Sequence, residues 1–300
     1  MSAENGSRVV VMYAMEEEAQ FFYRYLTNQR DLEPVAGTVR KVRGEIDGLT
    51  VDVIITGIMA VHAAMATTAT LTEASADAVL SVGCSGAHLP EQATGDIVIG
   101  KNVVPLAAEV ISSTGKSRLC GVRCSMRDSA TMAFDADELL LRLGTAAAES
   151  VRDSIAREGA ARVPRVDVST VGSSDVWRQS PAIIAQTHAN SGSACEEMEA
   201  HAVAQVCQAF GTPFLAVKDI ANSEINPEPI QLEPTHSLVP GACQVGVNAG
   251  RVAAKLLGLM AADDDYLARC ATAGATRAAK RGRAPATADG SLKQPKTATA

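Results

Sequence analysis

Short apolar runs rich in β-branched residues recur along this chain, each followed by a stretch with helical spacing, and that alternation leaves few folds open. Arg8 to Tyr13, Leu49 to Ile55 and Ala78 to Val82 read as buried strands, and Gly95 to Gly100, Val166 to Val171 and Pro213 to Lys218 continue the series. Runs that are apolar throughout, rather than alternating, belong to strands covered on both faces, as in a parallel sheet. Between them, Met15 to Tyr25, Ala60 to Ala74, Ala136 to Arg157, Pro181 to Ala189 and Met198 to Phe210 place apolar residues at helix spacing. Leu238 to Met260 reads as a long closing helix, bent near Gly241. Thr38 to Glu45 alternates, and Asp47-Gly48 then turns the chain into a hairpin. The pattern predicts one α/β domain over residues 8–262, with a central twisted, mostly parallel sheet and helices on both faces.

Composition narrows the function classes. Aromatic residues make up only 3% of the 300 residues, so the core must come from aliphatic side chains and Met. No apolar run approaches the roughly 18 to 20 residues of a membrane span, and Met1 to Ser7 lack the basic start and apolar stretch of a secretion signal. A cytoplasmic protein is therefore the expectation. The seven cysteines form no C-x-x-C pair, which argues against a zinc site or a disulfide framework. Residues 266–300 carry a surplus of six positive charges, so the body of the chain holds a net charge of −13. So acidic a body predicts neither a nucleic-acid nor a membrane partner. Residues 263–300, basic and rich in Ala, Thr, Gly and Pro, read as a disordered tail, and 1–7 as a flexible start.

Four segments carry candidate chemistry, each at the end of an expected strand. Ala14-Met15-Glu16-Glu17-Glu18 places carboxylates where the first strand enters its helix. Helix dipoles favour acids there, but the carboxyl ends of parallel strands are also where α/β sheets hold ligands. Val82-Gly83-Cys84-Ser85-Gly86 is a small-residue loop that lets backbone N–H groups approach a ligand. Ser173-Ser174-Asp175-Val176-Trp177 presents the single Trp of the chain, either as core or as a stacking platform. Glu196-Glu197-Met198-Glu199 opens an apolar helix that leads on to Lys218-Asp219-Ile220-Ala221-Asn222.

The order A-M-E-E-E, T-G-I, V-G-C-S-G-A, G-D-I-V-I, S-S-D-V-W, E-M-E-A and P-F-L-A-V-K-D-I-A-N resembles the nucleoside phosphorylase/nucleosidase superfamily over roughly residues 8 to 260. The branch it is most similar to is that of the methylthioadenosine/S-adenosylhomocysteine nucleosidases. The resemblance implies hydrolysis of a purine nucleoside N-glycosidic bond, with Glu18 activating the attacking water. It implies that Glu197, Met198 and Glu199 grip the ribose, Glu199 accepting from its 2′ and 3′ hydroxyls. Trp177 would stack on the purine, the backbone around Val176 would read the base edge, and Met15 and Ile58 would wall the sugar and its 5′ substituent. Cys84 stands where serine is common. The resemblance also implies a homodimer, and neither a metal nor an organic cofactor.

Phosphorylase relatives hold phosphate with a glycine turn after the first strand and an arginine before the V-G loop. Here Glu16 to Glu18 and Ser81 occupy those places, with no basic residue in the arginine's stead, which favours water as nucleophile. The main departure is Asn222, where adenine-cleaving relatives carry the aspartate that protonates the leaving base. Three readings stay open: a 6-oxopurine substrate such as inosine or futalosine, slow cleavage of adenine nucleosides helped by Asp219 or Asp175 through water, or a nucleoside-binding storage protein.

Overall fold

The computed structural model describes residues 7–35, 38–123, 125, 127–158, 162–226 and 245–272. Its strands in chain order are β1 (Arg8–Tyr13), β2 (Thr27–Leu32), β3 (Arg40–Ile46), β4 (Leu49–Ile55), β5 (Ala78–Ala87), β6 (Ile97–Pro105), β7 (Glu109–Ile111), β8 (Ser117–Leu119), β9 (Phe134–Asp135), β10 (Val166–Ser173), β11 (Ser193–Glu197) and β12 (Phe214–Asn222). The helices are α1 (Glu16–Ala19), α2 (Ala60–Glu73), α3 (Glu138–Arg157), α4 (Pro181–Ser191), α5 (Ala200–Phe210) and α6 (Val247–Ala262).

One sheet runs β11-β10-β6-β12-β5-β1-β4-β3-β2. Its centre is parallel, as the continuous apolar runs require: β1 pairs in parallel with β4 and β5, and β5 with β12. β11 also pairs back onto β5, so β5, β12, β6, β10 and β11 close into a ring. Helices α3 and α6 cover one face of the sheet, packing on Val11, Leu80, Val82 and Leu215. Helices α2 and α5 cover the other, over Val10, Val79, Val98 and Ala216. The hairpin falls where expected, with Asp47 and Gly48 both at positive φ, 47° and 86°, as a type I′ turn requires.

Several elements depart from the periodicity. Met15 to Tyr25 is not one helix: α1 ends at Ala19 and a 3-10 turn spans Phe22–Tyr25. The break carries the chain into β2, an exposed edge strand with no apolar alternation to announce it. Val82 to Gly86 is not a loop but the second half of β5, because β12 pairs with it in parallel there and β11 antiparallel at Gly86 and Ala87. Glu196 and Glu197 end β11 rather than open a helix, and α5 starts at Ala200. The closing helix is described only from Val247, so its bend near Gly241 lies outside the described residues. Residues 264–272, assigned to the tail, are helical, and Tyr266 there is fully buried. That one aromatic gives the segment the anchor its composition hides; the rest of the tail lies outside the described residues.

Asp219, fully inside the protein, holds the start of α6. Its carboxylate accepts from the backbone N–H groups of Gly246 at 3.2 Å, Asn248 at 2.9 Å and Ala249 at 3.2 Å. Burial pushes its pKa up to about 7, against the pull of those amides. Asp219→Ala strands buried donors and removes a helix cap, so we expect a loss of at least about 2 kcal/mol in chemical denaturation. A loss below about 0.5 kcal/mol would show that the cap contributes little.

Candidate active site

The carboxyl ends of β1, β4, β5, β10, β11 and β12 meet around a cavity of about 310 Å³. That is the lower end of the size range of small-molecule sites. Ten residues singled out from the sequence line it: Met15, Glu18, Ile58, Cys84, Val176, Trp177, Glu197, Met198, Glu199 and Asn222. The structure therefore brings six strand ends together on one ligand-sized space. The sequence reading missed Met59, Ile184, Arg178 and Glu224 as lining residues.

Glu18 sits in the first turn of α1 and is nearly inaccessible, at 3% exposure. Its Oε2 accepts from the N–H groups of Ala14 and Met15, both at 3.1 Å. Its Oε1 accepts from the Cys84 N–H at 2.8 Å. Gly83 makes that reach possible: a Cβ there would stand 2.4 Å from Oε1, and its φ is +148°. The small residues of V-G-C-S-G thus admit an acid side chain, while burial and the neighbouring Glu18 raise the Cys84 thiol well above its ordinary pKa.

Glu199 precedes α5 and lies beside Glu18. Its Oε1 accepts from the Met59 N–H at 2.7 Å. Asp175 accepts from the next amide, Ala60, at 2.8 Å. Two acids from distant segments thus cap α2, whose own N-cap residue, Met59, carries no capping side chain and sits at φ +82°. Burial, then Glu197, pushes the Glu199 pKa up to about 8, although Lys218 and the Met59 amide pull it down.

Glu197 reaches the cavity, but its carboxylate serves the scaffold. It accepts from the Ala200 N–H at 2.9 Å and the Lys218 ammonium at 3.0 Å. Lys218 also donates to Ser81 Oγ at 3.3 Å. A basic group does therefore stand at Ser81, supplied by β12 across the sheet, which the sequence could not place; it is already paired with Glu197. Burial works against the Lys218 charge, but Glu197, Glu199 and Glu18 outweigh it and hold the ammonium above its ordinary pKa. Glu196 forms the counterpart on the far wall. It takes the Arg178 guanidinium at 2.8 Å and the Arg178 N–H at 3.0 Å, with His88 Nε2 at 3.3 Å. Burial opposes the Glu196 charge, yet His88 and Arg178 keep its pKa below the usual carboxylate value.

Neither alternative acid faces this cavity. Asp219 caps α6 and Asp175 caps α2, and neither lines the space. Asn222 does line it, and its Nδ2 donates to Glu224 Oε1 at 3.3 Å. Trp177, 37% exposed, and Val176, 51% exposed, form a lip rather than core, together with Ile58.

The family model of the phosphorylase superfamily matches residues 8–239. A methylthioadenosine/S-adenosylhomocysteine nucleosidase from Marinomonas sp. is 34% identical over 215 residues, covering 70% of this chain and 85% of that protein. Among solved structures, the corresponding Neisseria meningitidis nucleosidase in complex with methylthio-immucillin-A superposes with a TM-score of 0.67 at 23% identity, over 84% of this chain and 99% of its own. A Helicobacter pylori futalosine hydrolase superposes with a TM-score of 0.67 at 18% identity, over 85% and 99% of the two chains. The chain belongs to the phosphorylase superfamily and, within it, to the branch of the methylthioadenosine/S-adenosylhomocysteine nucleosidases. By class it is a nucleoside N-glycosyl hydrolase.

Proposed function

We propose that this chain hydrolyses the N-glycosidic bond of purine nucleosides of the 5′-methylthioadenosine and S-adenosylhomocysteine type. The observation that carries the reading is the placing of Glu18: a buried carboxylate held by three backbone amides, on the same cavity as Glu199, Met198 and Trp177. The ribose would lie over Met198 with its hydroxyls on Glu199, and the purine against Trp177. Met15, Ile58 and Met59 would wall the 5′ substituent. As the C1′–N9 bond breaks, positive charge grows on the ribose between carboxylates already fixed in place, the arrangement that favours such a transition state. Glu18 would take a proton from water as its oxygen attacks C1′.

Water rather than phosphate suits this site. Lys218 is the buried cation nearest Glu18 and Glu199, and Glu197 already neutralises it. A phosphate would face Glu18 and Glu199 with no free cation on the described wall. The protein would act as a cytoplasmic homodimer in methionine salvage. Ile58 and Met59 on the lip, with Val61 and Met65 exposed on the adjoining face of α2, offer an apolar surface that a second copy would cover.

The test is base release in phosphate-free buffer from methylthioadenosine, adenosylhomocysteine, adenosine, inosine and futalosine. Adenine release that needs no phosphate supports the reading; release that requires phosphate, or none at all, overturns it. A second expectation concerns protons. With the empty-site Glu199 pKa at about 8, it is largely protonated at neutrality, while ribose hydroxyls donate best to its ionised form. Binding should therefore expel a proton, and affinity should rise with pH up to and somewhat beyond 8, then level off. Calorimetry in two buffers of different ionisation heat counts that proton at pH 7. A count near zero would remove Glu199 from the hydroxyls.

A further inference from the structure

We infer that Glu224 is the catalytic acid that protonates the leaving purine, the task Asn222 cannot perform. This rests on the hydrolase reading above. Two observations carry it: the place of Glu224 in the cavity, and the commitments of every other carboxyl there.

Strand β5 sets the scale of the site. Cys84 gives its N–H to Glu18 at the sugar end. Two residues on, about 6.6 Å along a strand, Gly86 is the register partner of Asn222 on β12 and of Glu196 on β11. The polar groups around Gly86 thus face the base when Glu18 faces the sugar. Among the described residues that line the cavity there, Asn222 and Glu224 are joined by the 3.3 Å hydrogen bond from Asn222 Nδ2 to Glu224 Oε1.

The remaining carboxyls are spoken for. Glu18 is filled by three amides, Glu197 by Lys218 and the start of α5, and Glu196 by Arg178 and His88. Glu199 takes the Met59 amide beside Glu18, at the sugar end. Among the described residues, Glu224 alone of the cavity carboxyls meets neither a cation nor a backbone donor; its one described partner is the Asn222 amide. The amide that donates to Oε1 fixes the orientation of the carboxyl, and Oε2 is the oxygen that Asn222 does not engage.

The step balances. The C1′–N9 electron pair passes to the purine, N7 takes the proton from Glu224 Oε2, and water forms the new C1′–O bond while its proton goes to Glu18. Solvent then reprotonates Glu224 and takes the proton from Glu18, so the net change is one water consumed. Asn222 serves as the positioning residue for the acid.

The experiment compares Glu224→Gln and the double variant Asn222→Asp/Glu224→Gln with wild type on the best-cleaved nucleoside. Glu18→Gln serves as control, and quenching of Trp177 by a nucleoside analogue shows that each site is folded. Loss of a general acid is typically about 10²- to 10⁴-fold. We expect Glu224→Gln to lose at least about 100-fold in kcat with KM within about threefold, and the double variant, with a carboxyl restored two positions away, to recover at least about tenfold. A kcat within about threefold of wild type, a loss confined to KM, or no recovery in the double variant overturns the assignment to Glu224. If wild type releases no base, or Glu18→Gln releases it unimpaired, the failure lies in the hydrolase reading itself.

Discussion

Glu18→Gln is expected to lower kcat by at least about 10²- to 10⁴-fold, the range for removing a general base, while the site still binds nucleoside. The reason lies in the three amides that hold it. Ala14 and Met15 donate to one oxygen and Cys84 to the other. A glutamine keeps the shape but turns an NH2 group toward one of those sets, so it can neither accept there nor take a proton from water. Nothing else among the described groups replaces it: Glu199 accepts from Met59, and Lys218 is paired with Glu197. Binding followed through Trp177 separates the outcomes. Retained binding with lost turnover identifies a chemical role; retained turnover removes Glu18 from the reaction; loss of both means that the amide cradle has collapsed.

Lys218→Met is expected to have the largest effect on stability. Lys218 and Glu197 lie 3.0 Å apart with side chains 3% and 2% exposed. Removing one partner leaves an uncompensated buried charge, a change that costs about 3–5 kcal/mol. That is a large share of the roughly 5–15 kcal/mol that holds a typical domain together. Met nearly matches the length of the lysine stem, so lost packing is a minor part of the effect. The double variant Lys218→Met/Glu197→Gln should recover most of the loss, since both charges are then gone. Equal destabilisation in single and double variants would place the effect in packing or in the cap of α5, which Glu197 also supplies. Denaturation midpoints of the wild type and the two variants decide between these.

Much of the scaffold could be read from the chain because its signals are local. The apolar runs of β1, β4 and β12 are buried on both faces, so each announces itself without reference to its neighbours. The turn at Asp47 and Gly48 needs positive φ at both positions and says so in its residues. The same holds for Glu18 and Asn222, since β1, β5 and β12 run parallel and align their carboxyl ends; Trp177, Met198 and Glu199 follow β10 and β11 and join them because β11 pairs antiparallel with β5 at Gly86 and Ala87.

What stayed hidden depends on pairing across long stretches of chain. Val82 to Gly86 has the composition of a loop and becomes strand only because β11 and β12 hold it from either side. Asp219, seen as a possible acid, turns away because the start of α6, 27 residues on, arrives with unpaired amides. Lys218 reaches Ser81 from 137 residues away, so inspecting the neighbours of Ser81 in sequence could not reveal a cation there. Glu224 carried no signal in spacing or periodicity, and its interest arises only from the hydrogen bond with Asn222.

The ring formed by β5, β12, β6, β10 and β11 bears on how such a site can diversify. A strand bonded on both sides cannot slide by one residue without unzipping two neighbours together, and a slip would turn every side chain to the opposite face. On the proposed placing of the base, the backbone beneath it is thereby locked, and new nucleobase preferences would arrive as single side-chain exchanges at the positions flanking Gly86. Such exchanges leave Glu18 and Glu199 where they are, so the carboxylates proposed to act on the sugar can be inherited intact while the range of accepted bases drifts.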